Sequence, residues 1–260
     1  MTQAISHSQN LRKQAIAQHF ASAFNYDYHA TIQREICEQL IEQILEAEQF
    51  KILEIGAGTG QLTKLLAQNV DGDDIVINEL AACQRDTLQA ILPKATIIIG
   101  DAETLDFGQN FSLIISANAI QWFDEPLSLV DKAFFSLNSG GQLLFNTFSP
   151  KHFLQVKALT GQGLNYPSKD AWQARLIQAG FTQIQITTKR FDLSFADPMA
   201  VLKHMKLTGV STNCPQKAFV WTKAKLAEFI KQYQAQFFNP NKPTEVILTY
   251  DALLISAIKP

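Results

Sequence analysis

Three glycines spaced one residue apart, Gly56, Gly58 and Gly60, follow the acid Glu54 at the end of an apolar run. A glycine-rich turn after a strand lets the backbone approach the phosphate or sugar of a nucleotide closely. This stretch therefore predicts a site for a cofactor of the nucleotide type.

The spacing of these glycines argues against two common nucleotide sites. A P-loop needs a Lys-Ser/Thr pair after its second glycine, whereas Gly60 is followed by Gln61. A dinucleotide fold has the pattern G-x-G-x-x-G, and here the third glycine comes one position early. A nicotinamide cofactor is therefore less favoured, and a turn that binds no ligand remains an alternative.

Two further acids stand where predicted strands end. Glu79 lies in the second predicted strand, 74–80, and Asp101 follows the third, 95–100. An acid about twenty residues after the turn typically accepts hydrogen bonds from ribose hydroxyls. A carboxylate at position 101 can accept from the exocyclic amine of adenine. Doubly wound sheets bind ligands at the carboxyl ends of their strands, so we expect all these groups to meet there.

Short β-branched runs alternate with amphipathic helical segments, which predicts an α/β fold with a doubly wound, mostly parallel sheet. The predicted strands are 51–55, 74–80, 95–100, 111–118, 141–149, 183–193 and 245–260. The predicted helices are 31–50, 61–68, 81–92, 126–138, 170–181 and a polar stretch from 198 to 238.

We interpret the chain as a single domain, 1–260. Within it we expect an N-terminal helical cap at 1–45, a cofactor-binding core at 46–150, and a helical insertion at 196–240 between the last two strands.

Composition restricts the class of protein. A net charge of -2 argues against a general nucleic-acid binder, and no apolar run approaches membrane-spanning length. Cys37, Cys83 and Cys214 are far apart and form no CxxC pair, which is typical of reduced thiols rather than of disulfides or a metal site. The first twenty residues lack the apolar core of a signal peptide. We therefore expect a cytoplasmic protein.

The E-x-G-x-G-x-G run, Glu79 and Asp101 together resemble class I S-adenosylmethionine-dependent methyltransferases. The resemblance implies S-adenosyl-L-methionine as cofactor and a seven-stranded sheet whose last strand is antiparallel. The cofactor-binding residues that we expect are Glu54, Gly56, Gly58, Gly60, Glu79, Leu80, Asp101, Ala102 and Asn118.

Further segments at 24–41, 116–123, 202–210 and 248–250 resemble the malonyl-acyl carrier protein O-methyltransferases of biotin synthesis. The pattern Tyr-Asp-x-His-Ala-x-x-Gln matches 26–33, and the strand-four pattern matches 118–122. The insertion pattern Leu-Lys-x-Ile-Gly-Ala appears at 205–210 with one polar departure, Thr208. The resemblance implies that a malonyl group, carried by acyl carrier protein or by coenzyme A, is esterified on its free carboxylate.

Such a carboxylate is ionised at neutral pH, so the reaction needs no general base. We expect orientation and exclusion of water to supply most of the catalysis, with Tyr26, Gln121 and Trp122 at the reacting centre. We predict His29, Gln33 and Lys206 as substrate-binding residues. Which side chain holds the carboxylate stays open among Tyr26, His29, Gln33, Asn118, Gln121 and Lys206.

Two other functions remain open. The first is methylation of another small molecule, such as a quinone precursor or trans-aconitate, on the same fold. The second is a non-catalytic scaffold that keeps the fold and binds no S-adenosylmethionine. Six lysines of the insertion, among them Lys217, Lys223 and Lys225, make it locally basic, which is consistent with a solvated face or with docking of an acidic carrier protein.

Overall fold

The computed structural model describes residues 12–14, 17, 26–45, 51–70, 74–208 and 220–260. Its strands are β1 Lys51–Ile55, β2 Asp74–Glu79, β3 Thr96–Ile99, β4 Phe111–Ser116, β5 Leu137–Phe148, β6 Thr182–Phe195, β7 Phe238–Asn239 and β8 Lys242–Ile258. Its helices are α1 Tyr26–His29, α2 Thr31–Ile41, α3 Gln61–Asn69, α4 Arg85–Ile91, α5 Ser128–Ser136, α6 Leu154–Thr160, α7 Lys169–Ala179, α8 Pro198–Leu207 and α9 Lys223–Gln236.

The strands form one sheet in the order β3-β2-β1-β4-β5-β8-β6, with the two-residue strand β7 paired to β8. β1 to β5 pair in parallel. β8 lies antiparallel between β5 and β6. The predicted seven-stranded, mostly parallel sheet with an antiparallel last strand is therefore confirmed. The short strand β7 was not predicted.

Alternate residues of the strands enter two separate hydrophobic layers. Ile52 packs in one layer with residues of α2, α3, α8 and α9, whereas Leu53 packs in the other with residues of α5 and α7. Successive side chains of a strand point to opposite faces, so both faces of a buried parallel sheet must be apolar. This explains the continuous apolar runs of β1 and β4.

The register of the parallel strands brings the carboxyl-terminal ends of β1 to β4 to one edge of the sheet. Ile55 of β1 is opposite Asn78 of β2, and Glu79 of β2 is opposite Ile99 of β3. Glu54 is opposite Ile115 of β4. The turns that follow these strands consequently meet above the same edge.

Several predicted boundaries were wrong. The helix predicted at 31–50 ends at Ile41, and 46–50 lie outside the described residues. β5 begins at Leu137 rather than at 141, because Leu137 pairs with Phe111 before a bulge in the register. Within the helical stretch predicted from 198 to 238, the described residues form α8 and α9, each begun by a side-chain cap, Asp197 and Thr222, and 209–219 lie outside the described residues.

In the described part of the chain, every helix falls short of the length and apolar character that crossing a membrane requires.

Candidate cofactor and acceptor site

A cleft opens above the carboxyl ends of β1 to β4, with a volume of about 840 Å³ that includes its solvent-open part. Ligand sites are typically concave clefts of this kind. Predicted residues that line it are Gly56, Gly58, Glu79, Leu80, Asp101, Ala102, Asn118 and Trp122. Lining residues not predicted to bind cofactor or substrate include Lys13, Ala17, Cys37, Thr59 and Asn78.

The three glycines of the turn have different surroundings. A Cβ atom on Gly56 would lie 2.4 Å from Cβ of Ala119, so the turn and the segment after β4 approach too closely for a side chain. A Cβ atom on Gly58 would meet nothing within 4 Å, which leaves open space on the cleft side of the backbone. Gly60 begins α3 with φ +83° and lies close to Ile91 of α4.

Glu79 is fixed at the floor of the cleft by backbone groups. The N–H of Gly58 donates to its Oε2 at 2.7 Å, and the N–H of Ala81 donates to its Oε1 at 2.8 Å. Burial raises the pKa of the Glu79 carboxyl, while these backbone hydrogen bonds work in the opposite direction. Each carboxylate oxygen has a further lone pair with which it can accept from a ligand hydroxyl.

Asp101 lies in a tight turn after β3. Its Oδ1 accepts from the N–H of Glu103 at 3.0 Å and from Nζ of Lys13 at 3.2 Å. Lys132 donates from the far side to the carbonyls of Ala102, at 2.6 Å, and Leu105. The turn that presents Asp101 and Ala102 to the cleft is thus held from both sides.

Residues near the amino terminus reach the rim of the cleft, which sequence reasoning missed. Lys13 forms ion pairs with Asp101 and Glu103, and Arg12 forms one with Asp124. Nζ of Lys13 also lies 5.2 Å from the ring centroid of Phe123. The adjacent basic residues were a weak signal, because nothing local in the sequence specifies which acids they approach.

The prediction that Glu54 and Gly60 line the cofactor site does not agree with the described cleft. Glu54 is 1% exposed, and its Oε2 accepts from the Thr63 hydroxyl at 2.8 Å behind the glycine turn. Burial raises the pKa of this carboxyl to about 8. Glu54 lies on the face of β1 that carries Ile52, because side chains alternate along a strand, and Gly60 lies against Ile91 and Leu88 of α4.

Asn118 connects the cleft to α2 and β5. Its backbone N–H donates to Oδ1 of Asn146 at 2.7 Å, and its Nδ2 donates to the carbonyl of Gln33 at 3.1 Å. The backbone at Asn118 has φ +54°, which asparagine tolerates better than most residues. Gln121 donates to the carbonyl of Asn118 at 2.7 Å and is not part of the cleft lining.

The three residues predicted at the reacting centre therefore do not all line the cleft. Trp122 lines the cleft, whereas Gln121 braces Asn118. The side chain of Tyr26 lies outside the described residues. Its neighbour Asp27 accepts from the Thr59 hydroxyl at 2.6 Å and joins α1 to the glycine turn.

The predicted substrate-binding residues do not all lie together. Gln33 is buried beside the cleft and His29 is half-buried, but Lys206 is exposed on the outer side of α8, so its predicted role in the pocket is not supported. The inner side of α8 presents His204, whose Nε2 lies 2.8 Å from the hydroxyl of Tyr250. His204 lies in the segment 202–210 and Tyr250 in the segment 248–250, both of which carry the family resemblance.

A family model described as a methyltransferase domain matches residues 28–186. A malonyl-[acyl-carrier protein] O-methyltransferase of Haemophilus ducreyi is 38% identical over 96% of this chain and 98% of its own length. The chain belongs to the family of malonyl-[acyl-carrier protein] O-methyltransferases. The relative of that name from Acinetobacter baylyi is 34% identical over 95% of the chain and 97% of its own. In Bacteroides fragilis the matched relative is 34% identical, and the chain spans 50% of its length.

Solved structures show the same fold at low identity. An S-adenosylmethionine-dependent methyltransferase of Mesorhizobium loti superposes with a TM-score of 0.53 and 16% identity, over 85% of this chain and 96% of that one. Phosphoethanolamine N-methyltransferase 2 of Haemonchus contortus, in complex with S-adenosyl-L-methionine, superposes with a TM-score of 0.58 and 14% identity, over 93% of this chain and 57% of that one. These matches confirm the class I methyltransferase fold.

Proposed function

We propose that the protein transfers the methyl group of S-adenosylmethionine to the free carboxylate of malonyl-acyl carrier protein, an early step of biotin synthesis. The observation that carries the proposal is the cleft at the strand ends, where Glu79 and Asp101 face the same space. The names of the full-length relatives support the acceptor.

The residues of the cleft fit this donor. Glu79 has both carboxylate oxygens oriented by backbone N–H groups and can accept from the two ribose hydroxyls. Asp101 lies where it can accept from the adenine amine, and the open space over Gly58 leaves room for the methionine part. When bound, S-adenosylmethionine supplies an electrophilic methyl group.

The protein's own contribution is to orient and desolvate the acceptor. A malonyl carboxylate is ionised near neutral pH and can act directly as the nucleophile. Trp122 and Phe123 line the cleft, where ring faces exclude water and attract a sulfonium cation. Asn118 fixes the geometry between the cleft and α2.

Acyl carrier protein, rather than coenzyme A, is the carrier that we propose. The described part of the insertion has five exposed lysines and two acids, although the whole chain has a net charge of -2. Carrier proteins are acidic, so a locally positive surface attracts them. The lysines are Lys203, Lys206, Lys223, Lys225 and Lys231. A cytoplasmic location stays a prediction.

The function is tested by incubating the protein with methyl-labelled S-adenosylmethionine and malonyl-carrier protein, malonyl-coenzyme A or acetyl-carrier protein. We expect a base-labile methyl ester on the malonyl acceptors, with the carrier protein preferred, and none on the acetyl control. Labelling of the acetyl control, or of neither malonyl acceptor, would contradict the proposal. Calorimetric titration with S-adenosylhomocysteine separately tests the scaffold alternative.

A further inference from the structure

A buried polar cluster adjoins the cofactor cleft beyond Asn118. Its centre is Tyr250 of β8, which is 0% exposed and whose hydroxyl lies 2.8 Å from Nε2 of His204 on α8. The side chains of Thr208 and Gln33 lie near this hydroxyl and lower the pKa of Tyr250, against the larger effect of burial. Groups from α2, the insertion and the sheet thus converge on one oxygen atom.

The cluster is continuous with the cleft through α2. Cys37 lines the cleft, and Gln33 lies one helical turn before it on the same face. Gln33 also accepts from Nδ2 of Asn118 through its carbonyl. Gln33 therefore lies directly behind the part of the cleft wall that Cys37 and Asn118 form, and Tyr250 lies deeper.

The amide of Gln33 has hydrogen-bonding capacity that the described residues leave unused. Gln33 is 4% exposed, and its Oε1 has no hydrogen-bond partner in the described part of the chain. Such an orphaned buried atom is costly in a protein interior. A rotation of the amide by half a turn gives Oε1 the Tyr250 hydroxyl as a donor and presents Nε2 to a ligand acceptor.

The cluster offers neutral donors. Burial raises the pKa of Tyr250 to about 12, so its hydroxyl keeps its proton. Burial and the nearby His29 lower the pKa of His204 to about 4, so its imidazole is neutral and retains one N–H. Hydrogen bonds from neutral donors to a carboxylate compensate for its loss of hydration.

We propose that Nε2 of Gln33 donates to the free carboxylate of the malonyl acceptor, an assignment that rests on the proposed function. The Tyr250 hydroxyl then donates to Oε1 of Gln33, and the N–H of His204 donates to the Tyr250 oxygen, so these two residues position the amide. The amide would distinguish an acceptor that ends in a carboxylate from one that ends in a methyl group, and it would hold the carboxylate at the end of the cleft where the methyl group arrives.

The test measures how strongly the protein prefers malonyl-carrier protein to acetyl-carrier protein, by calorimetry in the presence of saturating S-adenosylhomocysteine. The ratio of the two dissociation constants isolates the carboxylate contact, because docking of the carrier is common to both. We expect Tyr250→Phe and His204→Leu to lower this ratio about tenfold or more. His204→Gln, whose amide can reach the position of Nε2, should retain part of the preference.

Tyr233→Phe is the matched control. Tyr233 is equally buried, and its hydroxyl donates to the carbonyl of Ile247 at 2.8 Å, away from the cluster. Affinity for S-adenosylhomocysteine should be unchanged in all variants, which shows that they are folded. An unchanged malonyl preference in both Tyr250→Phe and His204→Leu would overturn the assignment and leave the proposed function intact. If the wild-type protein showed no malonyl preference and formed no methyl ester, both the assignment and the proposed function would be wrong.

Discussion

At the scale of single residues, the most informative feature is the pair of acids on adjacent strands, Glu54 and Glu79. Both side chains lie on the same face of the sheet, yet Glu79 reaches the cleft and Glu54 contacts Thr63 beneath the turn. Glu54 is in register with Ile77, so two positions along the strand axis separate the acid that borders the cleft from the acid beneath the turn. The first is hydrogen-bonded to two backbone N–H groups, and the second has a carboxyl pKa of about 8.

Replacing Glu79 with glutamine is expected to weaken donor binding. An amide presents one acceptor atom instead of two and cannot pair with both the Gly58 and the Ala81 N–H groups. Loss of a charge-assisted hydrogen bond costs about 1.5–3 kcal/mol, or about tenfold to a hundredfold in affinity. Calorimetry with S-adenosylhomocysteine measures the change. Glu228→Gln on the exposed face of α9 is the control, and equal affinities in the two variants would refute the role of Glu79.

Replacing Glu54 with glutamine is expected to change how stability depends on pH. The carboxyl has a pKa of about 8 in the fold and an ordinary value of 4.5. Between these values the folded state holds a proton that the unfolded state has lost, so wild-type stability falls as pH rises from about 5 to about 8. The variant lacks this group and should gain stability relative to wild type across that range.

Urea unfolding of both proteins at pH 5, 6.5 and 8 checks this expectation. The difference in free energy of unfolding, variant minus wild type, should increase over the series and level off above pH 8. If the free energies of unfolding of the two proteins depended on pH in the same way, Glu54 would already be ionised in the folded state.

At the scale of elements, the glycine turn connects β1 to α3 and packs against α4. Gly60 has φ +83°, and a Cβ atom there would lie 2.5 Å from Cδ1 of Ile91. Gly60→Ala is therefore expected to lower the free energy of unfolding by about 1–3 kcal/mol, through backbone strain and crowding. Gly108→Ala is the matched control, because Gly108 has φ +79° and open space around it. Equal losses in urea unfolding would show that crowding against α4 contributes nothing.

The contact of Lys13 with Asp101 and Glu103 crosses the rim of the cleft. Lys13→Ala is expected to speed the dissociation of S-adenosylhomocysteine several-fold, because the segment no longer holds the turn of Asp101. Stopped-flow fluorescence of Trp122 measures the rate, with Lys94→Ala as control. A dissociation rate equal to that of wild type would show that the Lys13 contact does not hold the turn of Asp101.

Much of the sheet was predictable because β-branched runs, glycines and strand-end acids are local signals. Gly56, Gly58, Glu79 and Asp101 were placed correctly at the cleft, since parallel strands end at a common edge. The contact of Lys13 with Asp101 spans 88 positions, and that of His204 with Tyr250 spans 46. Such pairs depend on how the amino-terminal segment and the insertion pack on the sheet, which no local pattern specifies.

At the scale of the whole molecule, charge is distributed unevenly between the sheet domain and the insertion. Reversal of Lys223 and Lys225 to glutamate should raise KM for malonyl-carrier protein about tenfold and KM for malonyl-coenzyme A to a smaller extent, because both acceptors are anionic but only the carrier protein has an acidic surface that can dock on the insertion. Added salt should reduce the difference. The same reversal at the exposed Lys94 and Lys169 is the control. If both double variants behave alike, the insertion does not dock the carrier.

The antiparallel position of β8 has a consequence for the order in which the molecule assembles. β6 pairs only with β8 among the described strands, whereas β1 to β5 already form a continuous parallel sheet. During synthesis on the ribosome, the donor-binding edge can therefore be complete while the partner of β6 is still untranslated. We expect the half of the molecule that recognises the acceptor, including Tyr250, to become ordered last.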